Sequence, residues 1–296
     1  MSAAPQAHAA RWTVRRVLTW TAAHFGERGL DSPRLDAELL IATALGTDRV
    51  GVYLELDRPL QTDELAKIRA LVQRRRQHEP VAYILGHKEF FGRDFLVSPA
   101  VLIPRPDTEV LVERVLAAYD ADSHCRLLDL CTGSGILALT LAAERPHWQV
   151  LACDISPEAL TIAAQNAAQL GLTERITWHQ GDLFAALPEA ARFDIIVCNP
   201  PYIAHAALAT LPADVAAHEP HLALDGGADG LDFYHRLTAE APARLGSGGR
   251  LWFEIGYDQG EAVMALLEEA GFVDVALYKD YAGRARVVQA RADAVR

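Results

Sequence analysis

Residues 126–135 read Arg-Leu-Leu-Asp-Leu-Cys-Thr-Gly-Ser-Gly. An apolar run of this kind forms a strand buried on both faces. It breaks into a glycine-rich loop and then into the helix-forming stretch Ile136 to Glu144. Glycine lets a backbone approach a ligand with no Cβ in the way. In open sheets of parallel strands, ligands settle beyond the carboxyl ends of the strands, where this loop lies. The loop has neither the third glycine of a dinucleotide fingerprint nor the lysine of a phosphate loop.

The same rhythm continues outward. Trp148 to Asp154, Ile176 to Asp182, Phe193 to Asn199 and Arg250 to Gly256 read as further strands. Helices are predicted over Pro157–Leu170 and Asp232–Leu245 between them, and over Gln259–Ala270 after the last. Strands alternating with helices imply a mostly parallel sheet covered on both faces. The end departs from this. Phe272 to Asp280 and Arg284 to Ala290 have only Tyr281-Ala282-Gly283 between them. So short a link holds no crossover helix, so the pair must be antiparallel.

Upstream, from about Trp12 to His78, the spacing is helical. Ser32-Pro33 is an N-cap followed by a first-turn proline, and Gly46 stops that helix. A second amphipathic run carries Leu65, Ile68, Leu71 and Val72, and its Arg74–Arg76 cluster complements a helix C-terminus. Residues 87–106 join the two regions, with a hairpin turning at Gly92 and prolines at 99, 104 and 106. The expected division is a disordered lead-in at 1–11, a helical domain at 12–84, a hairpin linker at 85–106 and a catalytic domain at 107–296.

Bulk properties exclude several classes. The 296 residues carry a net charge of −11, against a broad nucleic-acid footprint. No apolar run reaches the roughly 20 residues of a membrane span. The N-terminus does not read as a signal peptide. The four cysteines show no CxxC spacing and the eleven histidines no ligand constellation, so no metal is expected. Three cysteines fall at strand ends as small hydrophobes, suiting a reducing, cytoplasmic setting.

Strand ends carry the chemistry. Asp154 can accept hydrogen bonds from both hydroxyls of a ribose. Asp182 can accept from an adenine amino group, with Leu183 and Phe184 covering the ring. Asn199-Pro200-Pro201-Tyr202 follows the strand that begins at Phe193. An amide nitrogen is a poor nucleophile because its lone pair is delocalised. Two acceptors, the Asn199 side-chain oxygen and the Pro200 carbonyl, would hold the NH2 with its lone pair aimed at an electrophilic methyl. The prolines stiffen the loop, and Tyr202 offers a flat face. The loop would serve any planar NH2, including that of adenine.

Taken in order, the Leu128–Gly135 loop, Asp154, Gly181–Phe184 and Asn199–Tyr202 resemble class I S-adenosylmethionine-dependent methyltransferases acting on planar NH2 groups. Residues 79–92, Ile103 to Glu109, 219–234 and 279–288 narrow the resemblance to the HemK/PrmC release factor glutamine methyltransferases. The resemblance covers about residues 12 to 291. It implies an α/β fold with a seven-stranded, mostly parallel sheet whose last strand is antiparallel, and an N-terminal helical domain that docks the substrate. It implies methylation of the Gly-Gly-Gln glutamine of class 1 peptide chain release factors at N(5). S-adenosyl-L-methionine would be the donor and S-adenosyl-L-homocysteine the product.

The resemblance assigns Asp129, Cys131, Thr132, Gly133, Ser134, Gly135, Asp154, Asp182, Leu183 and Asn199 to the cofactor. The glutamine falls to Asn199, Pro200, Pro201 and Tyr202, with Arg105 near the mouth; Asn199, Pro200 and Tyr202 are the catalytic residues. The chain departs from the family at Cys131, where glycine is usual, and at Leu183, where some relatives carry an aromatic residue. It would act as a cytoplasmic monomer that binds neither nucleic acid nor membrane. The rivals are a glutamine methyltransferase of a ribosomal protein, an N6-adenine methyltransferase, and a non-enzymatic scaffold.

Overall fold

The computed structural model describes residues 12–293; the lead-in at 1–11 lies outside them. Contacts divide the chain into two units. One runs through Leu85 and takes in residues 213–218; the other comprises residues 86–212 and the chain from Glu219 on. Residues 213–218, assigned from sequence to the catalytic half, thus group with the helical unit.

The helical unit holds α1 (Val14–Gly26), α2 (Pro33–Leu45), α3 (Arg49–Leu54), α4 (Thr62–Arg76) and α5 (Val81–Leu85). Pro33 opens α2 and Gly46 closes it at φ 66°, a left-handed position that suits glycine. Leu18, Phe25, Leu40, Ile41 and Ile68 meet in its core. Two of the three arginines ending α4 do more than complement a dipole. Arg75 is buried against Asp36 at 2.7 Å, and Arg74 pairs with Glu79. Removing one member of such a buried pair costs about 3–5 kcal/mol.

The second unit opens with a hairpin, β1 (His87–Phe90) and β2 (Arg93–Leu96). Both turn residues, Phe91 and Gly92, have positive φ, 50° and 71°, as a type I′ turn demands. The Glu109 carboxylate accepts the Phe91 N–H at 2.9 Å. Asn166, fully buried, bonds Leu96 in both directions and donates to the Ser134 carbonyl, which ties the hairpin to the glycine loop.

The remaining elements in chain order are α6 (Glu109–Ala117), β3 (Arg126–Leu130), α7 (Ile136–Glu144), β4 (Gln149–Asp154), α8 (Pro157–Gln169), β5 (Ile176–Gln180) and β6 (Phe193–Cys198). Then follow α9 (Asp232–Glu240), β7 (Leu245–Glu254), α10 (Gly260–Glu269), β8 (Val273–Lys279) and β9 (Ala285–Arg291). Among the described residues they build a seven-stranded sheet of order β5-β4-β3-β6-β7-β9-β8. Strands β3 to β7 pair in parallel, and β9 runs antiparallel to both β7 and β8. The expected sheet and its reversed last strand are therefore present.

Helix α9 ends before the predicted Leu245. Pro242 cannot continue it, a single 3-10 turn follows at Ala241–Ala243, and β7 begins at Leu245. One apolar layer packs between the sheet and α6–α7, including Leu111, Leu139 and Trp252; the other packs with α9 and α10, including Phe184, Tyr234 and Phe253. The strand order reverses between β3 and β6. Ligands collect at such a switch point, and the loops leaving these two strands are Cys131–Gly135 and Asn199–Tyr202.

Candidate active site

The loop after β3 is braced from below. Asp129 is fully buried, and its Oδ2 accepts the Thr132 hydroxyl at 2.6 Å and the Ala138 N–H at 3.1 Å. Burial pushes its carboxyl up to about 7. Cys131, Gly133 and Gly135 all lie at positive φ, 57°, 57° and 83°. A left-handed backbone at 131 accounts for what glycine offers there; cysteine takes the same conformation at a cost of about 1–3 kcal/mol. Gly135 serves packing. A Cβ there would meet Leu139, Ala163 and Trp178 side chains at 3.0–3.3 Å.

Above this loop lies a cavity of about 440 Å³. Cys131, Thr132, Gly133 and Ser134 form part of its wall, and Asp129 and Gly135 do not. What the structure shows of those two is bracing by Asp129 and packing by Gly135. Asp154, at the end of β4, also faces the cavity. Its two oxygens accept the Gly133 N–H at 2.8 Å and the Ser156 N–H at 2.9 Å. Burial raises its pKa, partly offset by these N–H donors. Each oxygen keeps a lone pair for a ligand hydroxyl.

Asp182 and Leu183 join the wall from the end of β5. One Asp182 oxygen is already held by Arg236 at 2.7 Å, which leaves the other for a ligand amino group. Phe184, expected over the adenine, is buried in the core instead. Phe233 and Arg236, from α9, face the cavity in its place. Leu183 reaches the wall with φ 49°, which turns successive side chains to different sides. The Asp154 and Asp182 carboxylates, the apolar neighbours and the cavity form a lining that suits S-adenosylmethionine.

Asn199 and Pro201 line the cavity at the end of β6. Among the described residues the Asn199 side-chain amide has no hydrogen-bond partner, so its oxygen is free to accept from a ligand. Pro200 is buried and Tyr202 half-buried, and neither contributes to the cavity wall. Tyr202 packs against the apolar layer beneath. Its phenol is raised well above its usual range, by burial first and then by Glu254.

What fixes this loop was not legible in its own four residues. The Gln259 side chain donates to the Tyr202 carbonyl at 2.9 Å and to the Gly230 carbonyl at 3.1 Å, and accepts the Gly256 N–H at 2.9 Å. Gly226 is a close-approach residue. A Cβ there would stand 2.8 Å from Tyr202 Cα and 2.9 Å from the Pro201 oxygen. Its N–H donates to the Ile203 carbonyl at 2.8 Å, and the Ile203 N–H donates to Leu224 at 3.0 Å. Residues 224–226 thus form a rail along the exit of the loop.

Arg105 also lines the cavity, held by Glu219 at 2.5 Å. Among the described residues no cluster of histidine, cysteine, aspartate or glutamate could hold a metal ion.

A parallel sheet with a switch-point cavity, carboxylates facing it from the ends of β4 and β5 and an Asn-Pro-Pro-Tyr loop after β6 define a class: S-adenosylmethionine-dependent methyltransferases. A solved methyltransferase from Pyrococcus furiosus has this fold, with a TM-score of 0.53 at 18% identity, covering 70% of this chain and 92% of that one. Residues 106–227 match the methyltransferase small domain and residues 16–86 the PrmC N-terminal domain. The release factor glutamine methyltransferase of Geobacter sulfurreducens is 46% identical, over 95% of this chain and 97% of its own. That of Cereibacter sphaeroides is 45% identical over 89% and 92%. The chain belongs to the release factor glutamine methyltransferase family.

Proposed function

We propose that this chain transfers the methyl group of S-adenosylmethionine to N(5) of the glutamine in the Gly-Gly-Gln motif of class 1 peptide chain release factors, and so tunes translation termination. The observation that carries the reading is Asn199, an unpartnered carboxamide on the wall of the cavity that Asp154 and Asp182 also face. When bound, the cofactor supplies an electrophilic methyl carried on a sulfonium. Asn199 Oδ1 accepts one N–H of the target amide and the Pro200 carbonyl the other, which turns the nitrogen lone pair out of conjugation. Tyr202 acts from behind, its carbonyl held by Gln259 so that the two acceptors keep their spacing. No base is required before attack, since the proton leaves once the nitrogen is cationic. The acceleration comes from orientation and fixed dipoles.

The helical unit supplies the docking surface for the release factor, a reading supported by the exposed Trp20, Tyr53 and Leu54 on it. The enzyme acts as a cytoplasmic monomer without contacting nucleic acid. Among the described residues no helix is long and apolar enough to cross a membrane. Labelled methyl transfer tests the reading, with a purified release factor, its Gly-Gly-Ala variant, ribosomal proteins and DNA as acceptors. Label in the intact factor, lost in the variant and with Asn199→Ala enzyme, is the expected outcome. Label in a ribosomal protein or in adenine would refute the substrate assignment.

A further inference from the structure

Arg105 and Glu219 are 114 residues apart in sequence and 2.5 Å apart in space. The Glu219 side chain is 1% exposed, that of Arg105 36%. Both carboxylate oxygens are engaged by one short stretch: Oε1 accepts the Arg105 guanidinium, and Oε2 accepts the Ile103 N–H at 3.3 Å. A buried carboxylate survives only when its lone pairs are satisfied in this way. Arg105, by contrast, keeps donors in reserve. Glu219 is its only side-chain partner among the described residues, and a guanidinium carries five N–H groups.

The surroundings limit what those donors are for. Pro104 and Pro106 flank Arg105 and have no N–H. Arg105 is extended, at φ −99° and ψ 140°, as a residue before proline must be. Residues 104–106 therefore offer as donors only the Arg105 main-chain N–H and its guanidinium, and the guanidinium is the one that lines the cavity with several N–H groups. Its charge is unwelcome beside a sulfonium and an amide that becomes cationic, and Glu219 neutralises it. What remains is directional N–H donation, complementary to a neutral acceptor.

We propose that Glu219 is a positioning residue for peptide recognition: it holds Arg105 so that the free guanidinium N–H groups donate to a main-chain carbonyl beside the target glutamine. The inference rests on the glutamine reading above. Glycines preceding the target leave their carbonyls bare of side chains, so a rigid donor on the cavity wall can reach them. Arg105 thereby favours a glutamine in a stripped backbone over one among bulky neighbours.

The test measures KM and kcat for a release factor and for a short Gly-Gly-Gln peptide, with calorimetric Kd for S-adenosylhomocysteine and a melting curve for each variant. Loss of a charge-assisted hydrogen bond should raise KM about tenfold or more in Arg105→Ala and Glu219→Gln. The expected kcat and cofactor Kd stay within about twofold to threefold, because uniform substrate binding is what is lost. If Glu219 acts through Arg105, the double variant is no worse than Arg105→Ala alone. An unchanged KM in Arg105→Ala overturns the proposal, even if the Glu219 variant proves unfoldable. A fall in cofactor affinity instead of peptide affinity overturns it too, by assigning Arg105 to the cofactor carboxylate. Fully additive effects overturn the positioning role of Glu219. Wild-type enzyme that leaves the release factor unmethylated ends both readings; wild-type transfer with an unaltered Arg105→Ala KM ends this one alone.

Discussion

Replacing Gly226 with alanine drives a methyl group into the main chain of the Asn199–Tyr202 loop. The new Cβ would lie 2.8 Å from Tyr202 Cα, where ordinary contact begins at 3.4 Å, so the two segments must part by about 0.6 Å. Neither side yields freely. The Gly226 N–H is bonded to Ile203 on one side of the contact, and the Tyr202 carbonyl to Gln259 on the other. Overpacking of this kind costs about 1–3 kcal/mol. A misplacement near 1 Å costs on the order of a hundredfold in rate, so about half that shift should lower kcat roughly tenfold to hundredfold. Asp154 and Gly133 stand on the far side of the switch point, so the Kd for S-adenosylhomocysteine should move less than about twofold. The assay is steady-state methyl transfer alongside calorimetry and thermal melting. Gly26→Ala is the control, since a Cβ there meets nothing within 4 Å. Full kcat in Gly226→Ala would show that the close approach does not position the loop. Parallel loss of cofactor affinity would show a general collapse instead.

Three further outcomes are expected. Gln259→Leu removes both donors to Tyr202 and Gly230, and kcat should fall about tenfold or more with cofactor affinity retained; an unchanged kcat refutes the anchoring role. Glu254 is buried, its Oε2 lacks a partner, and burial lifts its carboxyl to about 7 against the pull of Arg286. The folded state thus keeps a proton that the unfolded chain releases above its ordinary pKa, so this group's contribution to stability is lost as pH rises from about 4.5 to 7. Urea midpoints at pH 5 and 7.5 should show a smaller drop in Glu254→Gln than in wild type; an equal drop rules out that linkage. Finally, Cys131 is the half-exposed thiol among four, with Cys125, Cys153 and Cys198 buried. Intact-mass analysis should find one fast maleimide adduct, blocked by S-adenosylhomocysteine, and several adducts or no protection would contradict the assignment of this loop to the cofactor.

The sheet was legible because strands buried on both faces read as apolar runs whatever surrounds them, unbroken in Ile195–Cys198 and interrupted only by Asp129 in Leu127–Leu130. The acceptors Asp154 and Asn199 were legible because each ends such a run, and Asp182 because it follows a strand in the same alternating rhythm. What escaped depends on neighbours remote in sequence. Phe184 and Phe233 are equally aromatic, yet the first, which follows a left-handed Leu183, is buried and the second lines the cavity. Gly226 looks like any turn glycine until Tyr202 is set against it. The Asp182–Arg236 and Arg105–Glu219 pairs span 54 and 114 residues. Bracing by Asp129 is hidden for another reason: an aspartate beside a glycine loop reads as a ligand contact, and its full burial shows only once α7 covers it.

The place of β9 between β7 and β8 has a consequence for synthesis. Until the residues from Ala285 onward have left the ribosome, β7 is a bare strand edge and β8 has nothing to pair with. Such edges invite pairing with other chains, so the nascent protein passes through a window in which most of its sheet exists but one flank is open. The late segment acts as a zip fastener drawn last. Deleting β9 would free β8 from the sheet as well and leave one edge of β7 bare, though β7 would stay paired with β6.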